Sequence, residues 1–225
     1  MNGSRRRALM GEKKDNKYTI ESLLASITNG DYSTKYAVGD LIKMTTSSYG
    51  ELEMQIVGFD VDALSDDTGY APVTLVSTRS ITSTKWTTNS TNAGGYPLAT
   101  IRSYLNNTVA SRVQSVTGSE HLAMVKKSSY GPANTVNPAR SDPRSTLWSD
   151  DLVWIPSARE WGRTDRENAG PKYSGMQKSI GVQYLIRSTY TEKTGTTDII
   201  LANGTYGTDY GFGTNRAVRI GICLK

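Results

Sequence analysis

One histidine, one cysteine and two adjacent acid pairs are the first side chains to test for chemistry in this 225-residue sequence. A Ser-His-Asp or Cys-His nucleophilic centre would need His121 together with a nucleophile from elsewhere in the chain. His121 sits in Glu120-His121-Leu122-Ala123-Met124-Val125, where it reads as a structural or surface residue. Cys223 has no second cysteine, which excludes an intrachain disulfide and a multi-cysteine metal site. It lies among aliphatic residues with no activating base nearby and reads as an inert thiol. Asp66-Asp67 and Asp150-Asp151 offer too few oxygens for a hard cation, and each reads as a solvated turn. The glycines at 204, 207, 211 and 213 lack the strand-to-helix context and the Gly-Lys-Ser/Thr of a phosphate loop. The expectation is a non-enzymatic protein with no catalytic residue, metal or cofactor.

Recognition is the chemistry that remains. Between Ser188 and Arg216, Tyr190, Tyr206, Tyr210 and Phe212 are spaced by Thr, Gly, Asp and Asn, with almost no aliphatics outside Ile199–Leu201. Antibody paratopes have this composition, because tyrosine gives wide amphipathic contact at small entropic cost and Ser, Gly and Asn adapt their hydrogen bonds. The segment is expected to face water and to bind through Tyr190, Tyr206, Asp209, Tyr210, Phe212, Asn215 and Arg216. A polar connecting loop is the plainer alternative, but exposed aromatics call for burial or a partner.

The net charge of +5 invites a nucleic-acid partner, yet residues 1–17 hold six Arg/Lys against Glu12 and Asp15. From Tyr18 onward 20 bases face 19 acids, so the folded part has no basic surplus to track phosphates. Residues 1–17 read as a basic flexible arm, a solvated tail or an attachment segment. No apolar run is long enough for a membrane helix, and Arg5-Arg6-Arg7 precedes no signal-peptide core.

The elements that must position these groups follow from periodicity. Ile20, Leu23, Leu24 and Ile27 share one helix face and Asn29-Gly30 stops it, giving a short amphipathic helix over residues 18–30. Asp40–Thr46, Glu51–Asp60 and Pro72–Ser77 read as an antiparallel meander. Helices are expected at Leu98–Asn106 and Val109–Val116. Ser128–Ser149 carries Pro132, Pro138 and Pro143 and reads as a long surface loop. Asp151–Pro156 is a short strand, and Ser157 with Glu160 forms a capping-box pattern. Strands follow at Gln183–Ser188 and Asp198–Ala202, then the Asn203-Gly204 hairpin signal. In the last strand Val218, Ile220, Ile222 and Leu224 alternate with Arg219, Gly221 and Cys223, predicting one buried face. The pattern predicts an α+β fold on antiparallel sheets, one domain over residues 31–225.

Four stretches, IRSYLNN (Ile101–Asn107), LVWIPSAREW (Leu152–Trp161), YLIRS (Tyr184–Ser188) and AVRIGICL (Ala217–Leu224), resemble in order the motifs of a family of gut-bacterial and phage domains. These domains have a C-type-lectin-like fold, also used by the variable proteins of diversity-generating retroelements. Leu185 stands where the family commonly has an aromatic, and Ile220-Gly221 replaces its usual Pro-Ala. The resemblance implies two short-to-medium helices, a diversifiable display region over about 188–216, and a cell-surface protein or glycan as ligand. It also implies a place on a virion or bacterial surface, attachment to a phage tail or carrier protein through the arm at residues 1–17, and scaffold roles for Trp154, Trp161, Arg187 and Arg219. Two other readings stay open: an enzyme of the formylglycine-generating type, and a structural virion or cell-surface module with no specific ligand.

Overall fold

The computed structural model describes residues 17–88, 91–132, 134, 144–163, 169–173, 175–189, 196–209 and 214–225. Its strands in chain order are β1 (Lys17–Thr19), β2 (Leu41–Thr46), β3 (Gly50–Ala63), β4 (Tyr70–Ser77), β5 (Thr82–Thr84), β6 (Leu122–Ala123) and β7 (Val125–Pro132). They continue with β8 (Arg144–Asp151), β9 (Val153–Trp154), β10 (Tyr184–Leu185), β11 (Thr197–Ile200), β12 (Tyr206–Asp209), β13 (Arg216–Val218) and β14 (Gly221–Leu224). The helices are α1 (Ile20–Asn29), α2 (Tyr32–Lys35), α3 (Thr100–Tyr104) and α4 (Ala110–Thr117). The fold is α+β and mostly sheet. None of the described helices is long and apolar enough to cross a membrane.

A large sheet runs β1-β2-β3-β4-β14-β6, with β9 also paired to β14. A smaller one runs β12-β11-β10-β13-β5, and β7 pairs β8 in a separate ribbon. Pairing is antiparallel except at β1–β2 and β10–β13. Each large-sheet face has its own core. Ile42, Met44, Leu75, Ile222 and Leu224 pack with Ile20 and Leu23 of α1 and with Leu105, Val109 and Val113. On the opposite face Val57, Val76, Ala123 and Cys223 lie with Trp154 and Tyr173.

Helix α1 forms as its spacing predicts. The Thr19 side chain accepts from the Ser22 N–H, and Gly30 at φ 73° closes the helix by donating to the Ile27 carbonyl. The two helices expected between 98 and 116 are one continuous run, because a π turn at Leu105–Val109 joins α3 to α4. Asn106 in that turn accepts from Leu152 N at 2.7 Å and donates to Asp151 Oδ1 at 2.9 Å. Arg102 Nε donates to the same Asp151 oxygen at 2.7 Å. Asp151 is therefore buried and paired, not the solvated turn its sequence suggested. Asp66, by contrast, does close an exposed turn, accepting from the Thr68 hydroxyl and N–H, bonds that hold its carboxyl below the usual range.

Two further expectations are corrected. The stretch read as a loop from Ser128 is the end of a ribbon, in register from Val125↔Asp151 to Pro132↔Arg144. Pro132 is tolerated at the last paired position of β7, while Pro138 and Pro143 lie outside the described residues. The terminal strand is also not buried on one face only, for every residue from Val218 to Leu224 is buried. It belongs to both sheets: β13 pairs β10 and β5, and after Arg219-Ile220 the chain enters the large sheet as β14. Arg219 pins the crossing by donating to the carbonyls of Ser77 and Gln177. Gly221 is required there, because a Cβ would stand 2.2 Å from the Trp154 ring.

Candidate functional site

The smaller sheet determines where the expected contact residues sit. Tyr206↔Ile200, Ile200↔Tyr184 and Tyr184↔Ala217 make one row across it, so these side chains share a face. That face covers Ala158 and Ile186, with Trp161 and Ile180 packed against them. The opposite row places Ile199, Leu185 and Val218 in the main core. With both faces covered, Thr197–Ile200 is wholly buried, Asp198 included. The expectation that much of Ser188–Arg216 faces water is thus corrected at β11, while Tyr206, Gly207, Thr208 and Arg216 are half-buried.

Tyr206 is half-buried, its ring 6.3 Å from that of Trp161 and under the Arg163 guanidinium, whose Cζ is 4.1 Å from the ring centroid. The hairpin before it has three residues between Leu201 and Thr205: Gly204 N donates to Leu201 O at 2.8 Å, and Gly204 adopts φ 83°. This is the longer hairpin type in which a left-handed glycine follows the turn. Asp209 pairs through its backbone with Thr197, at the sheet end away from Tyr206. Tyr190, Tyr210 and Phe212 lie outside the described residues.

Asn215 and Arg216 come together in an open groove of about 590 Å³. Its lining comes from residues 80–83, from Val182 and Gln183, and from Asn215, Arg216 and Ala217. Asn215 is exposed and Arg216 half-buried. The groove exists because β13 pairs antiparallel with β5, with Arg216 opposite Thr84 and Ala217 opposite Ser83. Residues 80–83 were no part of the expected contact set. Their only sequence signal is a polar Ser/Thr stretch, which is common.

A second surface also escaped sequence reading. Trp148, on β8, is 55% exposed and Tyr70, on β4, is 60% exposed. Trp148 and Lys126 line two hollows, of about 450 Å³ beside Asp150 and about 330 Å³ beside Tyr70 and Pro171. Lys126 Nζ is 2.5 Å from Asp67 Oδ1. Trp148 was hidden within a segment read as structureless.

The densest polar cluster is in the interior, on the Trp154 side of the large sheet. A register shift between Phe59 and Asp62, with Asp60 at φ 52°, turns Asp62 inward beneath β7. Lys127, fully buried, donates to Asp62 Oδ1 at 2.5 Å, Glu160 Oε1 at 3.1 Å and the Tyr173 hydroxyl at 2.8 Å. Its Nζ lies 3.5 Å from the centroid of the Trp154 ring. Arg187 donates to both Glu160 oxygens at 2.7 Å and to the carbonyls of Ser128 and Ile155. The capping box forms as expected, Ser157 N to Glu160 Oε2 at 2.9 Å and Glu160 N to Ser157 Oγ at 3.2 Å.

Charge balance keeps this interior ionised. Burial pushes the Glu160 carboxyl up, but Arg187 and Lys127 beside it outweigh burial and hold it at about 2. Burial pushes Lys127 down, and Asp62 with Glu160 more than reverse it, leaving the ammonium favoured. Burial raises the Cys223 thiol, and the Asp62 charge adds to this, so no thiolate forms at neutral pH. His121 joins the chain end through Lys225 O at 3.0 Å. Among the described residues no group of three or more His, Cys, Asp or Glu is placed to hold a metal ion. Comparison with family models, curated proteins and solved structures gives no match.

Proposed function

We propose that the chain is a non-enzymatic recognition domain of C-type-lectin-like fold whose ligand enters the groove beside Asn215 and Arg216. The groove itself carries this reading: three segments remote in sequence converge on an open hollow of about 590 Å³, on a sheet whose packing depends on other side chains. Such a division suits a protein that changes its contacts without changing its fold. The fold assignment is supported by the way the four motif stretches meet. Arg102 and Asn106 of the first reach Asp151 and Leu152, Glu160 of the second grips Arg187 of the third, and Gly221 of the fourth lies under Trp154.

The ligand class is a cell-surface protein or glycan, and the basic arm would join the domain to a phage tail or other carrier. Diversification by a retroelement is tested in the flanking DNA, where a near-copy of the 3′ coding end, differing at adenines, should lie near a reverse-transcriptase gene. Binding is tested by screening the full chain on immobilised glycans and surface proteins from candidate host bacteria. Asn215→Ala with Arg216→Ala should lower the affinity of any positive at least tenfold while the melting temperature holds, since interfaces concentrate energy in few residues. Undiminished binding sinks this site. The exposed Trp148 favours a second surface, and Trp148→Ala in the same screen separates the two.

A further inference from the structure

The interior cluster brings an amine, a carboxylate and a second carboxylate into contact where water is excluded. Lys127, Asp62 and Glu160 are all fully buried, and Trp154 and Tyr173 close over them. We propose that Lys127 and Asp62 condense to an amide, a self-made covalent cross-link between β7 and β3 in which Glu160 positions the amine and Tyr173 passes the protons. The reading of the groove plays no part in this.

The step balances within the chain. Lys127 Nζ attacks Asp62 Cγ, a C–N bond forms, the bond from Cγ to Oδ2 breaks, and one water leaves. An ammonium and a carboxylate go in, so both protons shed by nitrogen end on the departing oxygen. The Tyr173 hydroxyl, 2.8 Å from Nζ and 2.8 Å from Asp62 Oδ2, relays the protons from nitrogen to the leaving oxygen, while Glu160 Oε1 holds the amine in place at 3.1 Å. The Thr74 hydroxyl donates to the leaving oxygen at 2.7 Å and steadies the carboxyl during attack.

Two physical factors favour the product. Fixed contact between amine and carboxylate replaces a bimolecular encounter, worth effective molarities on the order of 10⁵ M or more in well-oriented systems. The amide also removes an ion pair from a dry interior, where holding charges is costly. Arg187 and Glu160 remain as a balanced pair afterwards. Dry walls keep the amide from hydrolysis.

Intact-mass measurement of the purified full chain tests this. The expected mass is one water below that of the sequence, and digestion should yield one branched peptide joining residues 62 and 127. Asp62→Asn should instead lose one ammonia at that link, and Lys127→Arg should lose nothing there. Wild-type protein at its full mass after prolonged incubation at neutral pH overturns the proposal. So does a water loss that persists in Lys127→Arg, or one that maps to another residue pair.

Discussion

Around Asp62 several charged groups face one another, whereas beside Asn215 a single charged residue among those described, Arg216, lines a hollow open to solvent. In the first region Lys127, Asp62, Glu160 and Arg187 are all buried, and each is held by groups of this same chain. In the second, Asn215 is exposed and the groove walls are short strands and turns. Charge density alone therefore does not locate a binding surface. The interior cluster has the more reactive chemistry and no access, and the groove has access and plain chemistry.

The contrast is broken most severely by removing one interior charge. Glu160→Ala leaves Arg187 and Lys127 without their shared carboxylate and should cost about 3–5 kcal/mol in denaturant melts; a cost below about 1 kcal/mol would mean the cluster is not buried as described. Acid should act on the same group. Glu160 is held at about 2 against an ordinary 4.5, so its stabilisation is complete above pH 4.5 and is lost as pH falls toward 2. Melting temperatures that stay flat over that window would contradict it. Next in size, Gly221→Ala drives a methyl into the Trp154 ring and should cost about 1–3 kcal/mol, read from the same melts.

Smaller effects sharpen the other side of the comparison. Tyr206→Ser removes a ring that touches Trp161 and Arg163 and should cost about 1 kcal/mol. If its stability is unchanged, Tyr206 belongs with the display residues after all. Asn215→Ala should lie within about 0.5 kcal/mol of wild type, as exposed positions do. A larger loss would make the groove rim structural.

Local signals were legible where a side chain acts on its own neighbourhood. The α1 face and its Gly30 stop, the meander and the Ser157–Glu160 capping box could all be read from spacing, and the scaffold roles of Arg187 and Arg219 from the motifs of the family the chain resembles. What failed was the inference of a surface position for polar residues whose partners are remote in sequence, although the same inference held at Asp66 and Asn215. Asp151 is bonded from 45 and 49 residues away, and Lys127 from 33 and 65. No short window contains those partners, so a buried polar residue there reads as solvent-facing. The β7–β8 ribbon was missed for the same reason, because Lys126-Lys127-Ser128-Ser129 has no apolar alternation to announce a strand. At the candidate site, composition singled out Asn215 and Arg216 but not residues 80–83, which only the β13–β5 pairing brings beside them.

The position of β14 bears on how the chain is made. It lies between β4 on one side and β6 with β9 on the other, although it is the last of the described strands to be synthesised. Until Gly221–Leu224 leaves the ribosome, one edge of β4 has no strand to pair with, and it carries Val73, Leu75 and Val76. Between the synthesis of β4 and that of β14 the nascent chain presents an unpaired apolar edge, the condition under which sheets join neighbouring chains. Its yield in a cell should therefore depend on chaperone supply more than the stability of the finished fold suggests.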